Sequence, residues 1–406
     1  MGSPGTPIAR RTFLAAGLAG IALATARFRP ARGAASSGPV RLGFDGEFGL
    51  INSTSAQAIE KGIRVAIAEI NRSGGVLGRP LELVVTDNRS VSARAIQNVR
   101  DLSAMPDLVA VMGGRFSPAV VECLPVVQEQ GIPLLLPWSA ADRLIDNGAN
   151  PNYAFRLSLR DSWVVPALMK HAAATCCREV GMLAPNTAWG RGSFEAMQRY
   201  GESNPLPRSV ATEWFNWGDQ TMIGKYQALR GAGARSIVFI ANDAEAVTLV
   251  NEMGRLPAQE RLPIVSHWGV TGGKFAPLVG SNLERVDFTV AQDFSFFRAD
   301  PASAARVLDG VRSLYGVTAI EAIESPVGVA HAYDLTHILA RAVTLAGGTD
   351  RRAVRDALEQ VRNYDGLVKT FERPFTPSRH EALRPEDIFM ARYAADGTIR
   401  PIDDAG

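Results

Sequence analysis

The residues best suited to binding chemistry follow two adjacent glycines. Arg115, Phe116 and Ser117 come directly after Gly113-Gly114 and stand where a helix is predicted to begin. A guanidinium, a hydroxyl and the free N–H groups of a helix N-terminus suit an anion such as a carboxylate, because a planar guanidinium can hold both oxygens at once. Ser117 followed by proline is equally typical of a simple helix cap, and that alternative stays open.

The chain lacks the sequence patterns that are typical of enzymes. Gly43, Gly46 and Gly49 follow the first predicted strand, but their G-x-x-G-x-x-G spacing is not the dinucleotide-binding G-x-G-x-x-G. No G-x-S-x-G, H-E-x-x-H or Walker A sequence occurs, and the five histidines lack the spacing of zinc ligands. We therefore expect no cofactor, no metal and no catalysis; an enzyme is the less favoured alternative, since no nucleophile and base can be identified.

Length and composition describe a folded chain of more than one domain. The 406 residues are 46% hydrophobic and 21% charged, with a formal net charge of +2. Chains of this length form two or three domains, each able to bury a core. The balanced charge, without a basic stripe carrying aromatic residues, predicts no binding to nucleic acid. Three cysteines do not suit a disulfide framework; Cys123 is expected in the core, and Cys176-Cys177 pack as thiols or form a vicinal bridge.

The first 35 residues have the pattern of an export signal. Arg10-Arg11 precede an uncharged apolar stretch, residues 13–25, that is too short to span a bilayer. Adjacent arginines before Phe-Leu resemble the twin-arginine signal, and small residues offer cleavage after Gly33 or Ala35. We expect a soluble periplasmic protein that is mildly acidic once processed, because residues 1–35 hold five arginines and no acid. An uncleaved anchor or a tail is the alternative.

Short apolar runs alternate with amphipathic stretches along the rest of the chain. Three βα units run from Val40 to Leu136, and a second series runs from Val164 to Ser266. Near-continuous apolar strands such as Leu108 to Met112 are typical of parallel sheets covered on both faces. The sequence therefore predicts an α/β fold of two doubly wound lobes. The helical residues 302–361 and a final strand from Phe389 are too little for a third sheet, so they complete the two lobes.

Ligand contacts are expected on the loops that follow the strands. In doubly wound sheets, ligands bind beyond the carboxyl ends of the strands, where helix N-termini present free N–H groups. Phe48 lies on the first of these loops. The strand-to-helix loops are Asp45 to Ser55, Gly113 to Pro118, Pro137 to Asp142, Pro185 to Arg191 and His267 to Gly273.

The order of many weak motifs resembles one known family. Lys61-Gly62 to Asn71, followed by Ser73-Gly74-Gly75-Val76-Leu77-Gly78-Arg79-Pro80-Leu81, is similar to the helix-turn-strand signature of type I periplasmic solute-binding proteins. The similarity is to the branched-chain and hydrophobic amino acid group, and it covers about residues 39–395. Further matches follow in order at residues 111–117, 131–139, 153–156, 188–192, 332–334 and 347–351.

This resemblance implies two lobes joined by three crossing strands, with a ligand in the cleft and both lobes closing over it. The crossings are expected near Leu157, Ala291 and Glu372. Lobe 1 would then comprise residues 39–157 with 291–371, and lobe 2 residues 158–290 with 372–406.

The resemblance also implies particular cleft residues. It places ligand contacts at Ser139 and Ala140, and an aromatic wall at Trp189, where the family usually has a tyrosine. Trp138 belongs to the same loop as Ser139 and Ala140, and it either lines the cleft or packs inside its lobe. Each of these residues follows a predicted strand.

Trp268 departs from the family pattern. His267-Trp268-Gly269 stands where the family often has an acid that pairs with the ammonium of an amino acid. Asp161 or Asp293 could take that place, although each also suits a helix cap or a surface position. His267 is expected to donate a hydrogen bond rather than to act as a base.

The sequence therefore predicts a monomeric periplasmic receptor that hands a small solute to the membrane permease of an ABC-type importer. Arg115, Ser117 and Ser139 would hold a carboxylate, while Trp189 and Trp268, if they line opposite lobes, would sandwich a flat or bulky apolar group. We accordingly expect aromatic or branched carboxylates to bind better than leucine or valine, with branched-chain amino acids as the runner-up. A sensor that reports its ligand to a membrane partner without transport stays an alternative.

Overall fold

Two sheets organise residues 38–175 and 177–402, the part of the chain that the computed structural model describes. The expected export signal and Cys176 lie outside these residues. Cys177 is disulfide-bonded, whereas Cys123 is a free thiol buried in the core, as expected. Within the described ranges, no helix combines the length and the apolar character that crossing a bilayer requires.

The first sheet consists of five parallel strands in the order β2-β1-β3-β4-β5. Every residue of the apolar run Leu108–Gly113 is buried, in agreement with a strand covered on both faces. The strands are β1 (Val40–Gly46), β2 (Leu81–Asp87), β3 (Leu108–Gly113), β4 (Leu134–Leu136) and β5 (Ala154–Arg156). The helices between them are α1 (Ser55–Arg72), α2 (Ser92–Ser103) and α3 (Ser117–Gln130).

The second sheet has seven strands in the order β14-β13-β10-β9-β8-β6-β7. Its parallel part is formed by β6 (Glu179–Pro185), β7 (Arg208–Phe215), β8 (Ser236–Phe239), β9 (Ile264–Ser266) and β10 (Phe288–Gln292). Its antiparallel edge is formed by β13 (Phe389–Tyr393) and β14 (Ile399–Pro401). The helices of this half are α4 (Asp161–Thr175), α5 (Ala188–Ser203), α6 (Ile223–Gly231), α7 (Asp243–Met253) and α8 (Phe275–Val279).

The helices after β10 return to the first sheet. They are α9 (Pro301–Tyr315), α10 (Pro326–Ala346) and α11 (Arg351–Leu358), and a small hairpin of β11 (Tyr364–Asp365) and β12 (Thr370–Phe371) follows. The long helix α10 packs along α1, and a Cβ added to Gly62 would lie 2.2 Å from the carbonyl oxygen of Val329. The two halves are called lobes below; their residue boundaries stay a prediction.

A buried ion pair joins two of the segments that run between the lobes. The Arg156 guanidinium is fully buried, and it donates from Nε and Nη2 to the two carboxylate oxygens of Glu381, at 2.9 and 2.6 Å. The backbone of Arg156 also donates to the His380 carbonyl and accepts from the N–H of Ala382. The segment around residue 381 is thus fixed alongside the end of β5.

Some elements differ from those predicted. Helix α5 begins at Ala188, four residues before the predicted start, because the Thr187 side chain accepts from the N–H of Gly190 and caps the helix. Trp189 therefore sits on the first turn of a helix and not in a loop. The strands β5 and β14 were not predicted, since each has only three residues and an arginine interrupts its apolar signal.

We expect Gly62→Ala to destabilise the fold, because its methyl group must displace the α10 backbone. Such overpacking costs about 1 to 3 kcal/mol. Gly192 on α5 is the matched control, since a Cβ there meets no atom within 4 Å and alanine favours a helix. Urea unfolding of both variants checks this. Equal stability of the two variants would contradict the close α1–α10 packing.

Candidate ligand-binding site

The loops predicted to bind ligand do meet between the lobes. Residues from four of the five loops, those after β3, β4, β6 and β9, line one small cavity of about 20 Å³, which has room for roughly one water molecule. It is lined by Arg115, Phe116, Ser117, Pro118, Trp138, Ala140, Trp189, Trp217, Asn242, His267, Trp268 and Gly269.

The Arg115 guanidinium, which we expected to hold a ligand carboxylate, is paired with the opposite lobe. Its Nη1 lies 2.7 Å from Oδ1 of Asp243, at the start of α7, and 3.4 Å from the Gly269 carbonyl oxygen. Both charged side chains are almost completely buried, so each neutralises the other out of contact with water. The buried Nε of Arg115 has no hydrogen-bond partner among the described residues.

Glu47 supplies a second buried carboxylate beside Arg115. It accepts from the Ser55 hydroxyl at 2.9 Å and from the backbone N–H of Arg115 at 3.2 Å. Complete burial raises the pKa of Glu47, although the Arg115 charge and these hydrogen bonds partly oppose the rise. The carboxylate therefore helps to fix the loop that carries Arg115.

The two serines expected to hold a carboxylate have other roles. The Ser139 hydroxyl donates to the Gly114 carbonyl at 2.6 Å, and the Ser117 hydroxyl oxygen accepts from the N–H groups of Ala140 and Ala141. These bonds tie the loops after β3 and β4 together. Helix α3 has no side-chain cap, so Ser117 does not play the capping role that was the alternative.

A row of rings forms the second-lobe wall. Trp189 lies edge-on to His267, with ring centroids 5.0 Å apart, and Trp268 stacks on His267 with ring centroids 4.0 Å apart. The expected sandwich of Trp189 and Trp268 from opposite lobes is therefore wrong, because both belong to the second lobe. Trp138 is the tryptophan that faces them from the first lobe, and it also packs on Gly328 of α10.

Asp161 orients this row of rings. Its Oδ1 accepts from Trp189 Nε1 at 3.0 Å and lies 3.2 Å from His267 Nε2. The backbone N–H of Gly269 donates to His267 Nδ1, so the histidine carries its proton on Nε2 and donates it to Asp161. His267 is thus a hydrogen-bond donor, and Asp161 stands behind the wall rather than on the cavity surface.

The structure does not bring Phe48 or Asp293 to the cavity. Phe48 packs edge-on against Phe44 on the first-lobe core. Asp293 Oδ2 lies 3.2 Å from His331 Nε2 on α10. Burial lowers the pKa of His331, but the charge and hydrogen bond of Asp293 and a bond to the Pro137 carbonyl outweigh burial and raise it.

Three cavity-side residues were missed from the sequence. Asn242 and Asp243 come three and four residues after the end of β8, on a strand-to-helix loop so short that it was not counted among the candidate loops. Trp217 follows β7 and meets Phe116 of the other lobe edge-on at 5.2 Å. The rule that ligands bind beyond the carboxyl ends of strands would have found all three.

The lobes also meet through direct hydrogen bonds beside the cavity. The Ser53 and Gly273 backbones form an antiparallel β-bridge, Thr54 N–H donates to the Gly272 carbonyl, and Lys274 N–H donates to the Asn52 carbonyl. A Cβ added to Gly272 would lie 2.0 Å from Arg115 Nη1. A residue larger than glycine at this position would therefore have to displace the Arg115 side chain.

No cluster of three or more side chains suited to a metal ion occurs in the described ranges. The cavity lining offers rings, one guanidinium, one amide and one hydroxyl. This surface suits the binding of a small organic solute.

The fold and this cleft define a two-lobe solute-binding protein. Residues 42–398 match the periplasmic binding protein family, and the chain belongs to that family. Among curated proteins, it is 22% identical over 363 residues to the "Leu/Ile/Val-binding protein homolog 7" of Brucella abortus (strain 2308), covering 84% of this chain and 86% of that protein.

Solved structures have the same fold. A periplasmic binding protein type 1 from Bordetella pertussis Tohama I superposes with a TM-score of 0.80 at 21% identity, covering 90% of this chain and 99% of that one. The branched-chain amino acid transporter substrate-binding protein LivJ of Streptococcus pneumoniae, in complex with isoleucine, superposes with a TM-score of 0.75 at 22% identity, with the same coverage.

Asp45, at the end of β1, should make stability depend on pH. Burial raises its pKa to about 6, against the opposing hydrogen bonds from Asn88, Asn98 and Thr86. The folded chain then keeps the proton between pH 3.8 and about 6 while the unfolded chain loses it, so stability falls as the pH rises through this range.

We expect Asp45 to contribute a loss of up to about 3 kcal/mol in the free energy of unfolding across this range. Urea unfolding between pH 4 and 7 measures the slope, and Asp45→Asn should flatten it whatever its effect on absolute stability. Equal slopes in the variant and the natural protein would contradict a raised pKa at Asp45.

Proposed function

We propose that this protein is the periplasmic substrate-binding protein of an ABC-type importer, and that it captures a small amino acid-like or aromatic or branched carboxylate solute by closing its lobes. The observation that carries the proposal is the set of direct contacts between the lobes around a ring-lined cavity. The solute is released chemically unchanged to a membrane permease, with the receptor acting as a monomer.

Relatives and neighbours support the transport role. The curated relative is named for leucine, isoleucine and valine, and the solved LivJ structure holds isoleucine. The Asp161 carboxylate lies behind the tryptophan row and favours a solute that carries a positive group, as an amino acid does.

Lobe closure should fail in Gly272→Ala. The added methyl group would lie 2.0 Å from Nη1 of Arg115, and the three atoms nearest to it all belong to that side chain of the other lobe. We expect at least a tenfold loss of solute affinity, equivalent to about 1.4 kcal/mol, with little change in urea unfolding. Gly224→Ala on α6, where a Cβ meets nothing within 4 Å, is the control.

Small-angle scattering with the solute that co-purifies with the native protein measures closure itself. The natural protein and Gly224→Ala should become more compact on binding, and Gly272→Ala should not. Tight binding without compaction in the natural protein would refute capture by closure.

Export through the twin-arginine route is part of the proposal. Changing Arg10→Lys together with Arg11→Lys should leave the precursor in the cytoplasm, because that route reads the arginine pair. Fractionation of cells that express either form measures this. An unchanged periplasmic yield of the double variant would refute the route.

A sensor that does not feed a permease is the second candidate. It differs from the importer component in what deletion does to the cell. Loss of solute uptake on deleting the gene supports transport, whereas normal uptake with loss of a response to the solute supports sensing.

A further inference from the structure

The cavity between the lobes is walled mainly by aromatic rings. Four of the six tryptophans of the chain, together with Phe116 and His267, line it. Trp138 and Phe116 come from the first lobe, and Trp189, Trp217 and Trp268 come from the second. Rings therefore face the cavity from both sides.

No carboxylate lines this cavity, yet carboxylates stand directly behind its walls. Asp161 accepts the indole N–H of Trp189, and Asp243 holds the Arg115 guanidinium. A primary ammonium would bring three N–H donors to a surface of rings and find no carboxylate oxygen there. A quaternary ammonium has no N–H group to satisfy, and ring faces attract it directly.

The buried acids strengthen this preference. Asp161 and Asp243 are both at least 96% buried, and Arg115 is the guanidinium among the lining residues. Asp243 cancels the charge of Arg115, which leaves the Asp161 carboxylate on the side of the tryptophan row. The field at the rings therefore favours a cation.

Arg115 would bind the carboxylate end of a solute. Its Nε is buried without a partner, and Arg115 lines the cavity next to Phe116. An unpaired guanidinium N–H in a buried site suits a carboxylate oxygen. The cavity thus offers rings for a cationic head, and Arg115 in its wall carries an N–H that a carboxylate could accept once the lobes part.

We propose that the solute is an N-methylated amino acid of the betaine class, with its trimethylammonium group among the tryptophan rings and its carboxylate at Arg115. This inference rests on the proposed capture of a solute between the lobes and names its chemical class. The cavity of about 20 Å³ is smaller than such a head group, so the lobes must part to admit it.

The test is calorimetric titration with glycine betaine and with 3,3-dimethylbutanoate, which has the same shape with carbon in place of the charged nitrogen. Glycine betaine should bind at least about tenfold more tightly. Equal or tighter binding of 3,3-dimethylbutanoate, phenylacetate or leucine overturns the proposal, as does no binding of glycine betaine at about 10 mM.

Variants test whether the rings provide the affinity. Trp217 is 37% exposed, so Trp217→Leu should fold normally and weaken glycine betaine binding about fivefold or more, while Trp214→Leu, outside the cavity, should not. Trp138→Phe, which keeps a ring, should bind better than Trp138→Leu. Unchanged affinity in Trp217→Leu and in a folded Trp138→Leu overturns the role of the rings.

The outcomes separate this inference from the proposed function. If leucine or an aromatic acid compacts the protein in scattering and glycine betaine does not, capture by closure stands and the betaine class is wrong. If glycine betaine binds without compaction, the chemical class stands and closure is wrong.

Discussion

The ion pair between Arg115 and Asp243 links the chemistry of the cleft to the position of the lobes. A guanidinium buried without a partner costs several kcal/mol, and here the partner comes from the other lobe. Because the pair spans the lobes, both groups would become exposed to water if the lobes separated. The charge exposed in the cleft would therefore depend on the distance between the lobes.

The hydrogen bonds around this ion pair hold the residues on each side of it in place. Glu47 fixes the backbone of Arg115, and Ser139 fixes Gly114 beside it. On the other side, Asp161 holds the ring of Trp189. These bonds hold the Arg115 backbone and the Trp189 ring in place in the cavity wall.

The pattern of apolar residues along the sequence predicted most of the fold, and it predicted part of the binding site. Alternating apolar runs identified the long strands and helices, because burial on both faces leaves a continuous apolar signal, as at Leu108–Gly113. The rule that ligands bind beyond the carboxyl ends of strands predicted that Arg115, Trp189 and Trp268 lie close together. The hydrogen bond of Ser139 and the pairing of Arg115 with Asp243 could not be predicted, since residues 115 and 243 are brought together only by the packing of two lobes.

The buried pair of Arg156 and Glu381 lies on the segments that run between the lobes, and both residues are absent from the cavity lining. Because the Arg156–Glu381 pair fixes these segments to each other, it would resist a rotation of one lobe against the other. Apparent affinity equals intrinsic affinity scaled by the fraction of molecules able to bind. Under the proposed capture between the lobes, substitutions in these segments would therefore change the affinity for every solute by the same factor and leave the preference among solutes unchanged.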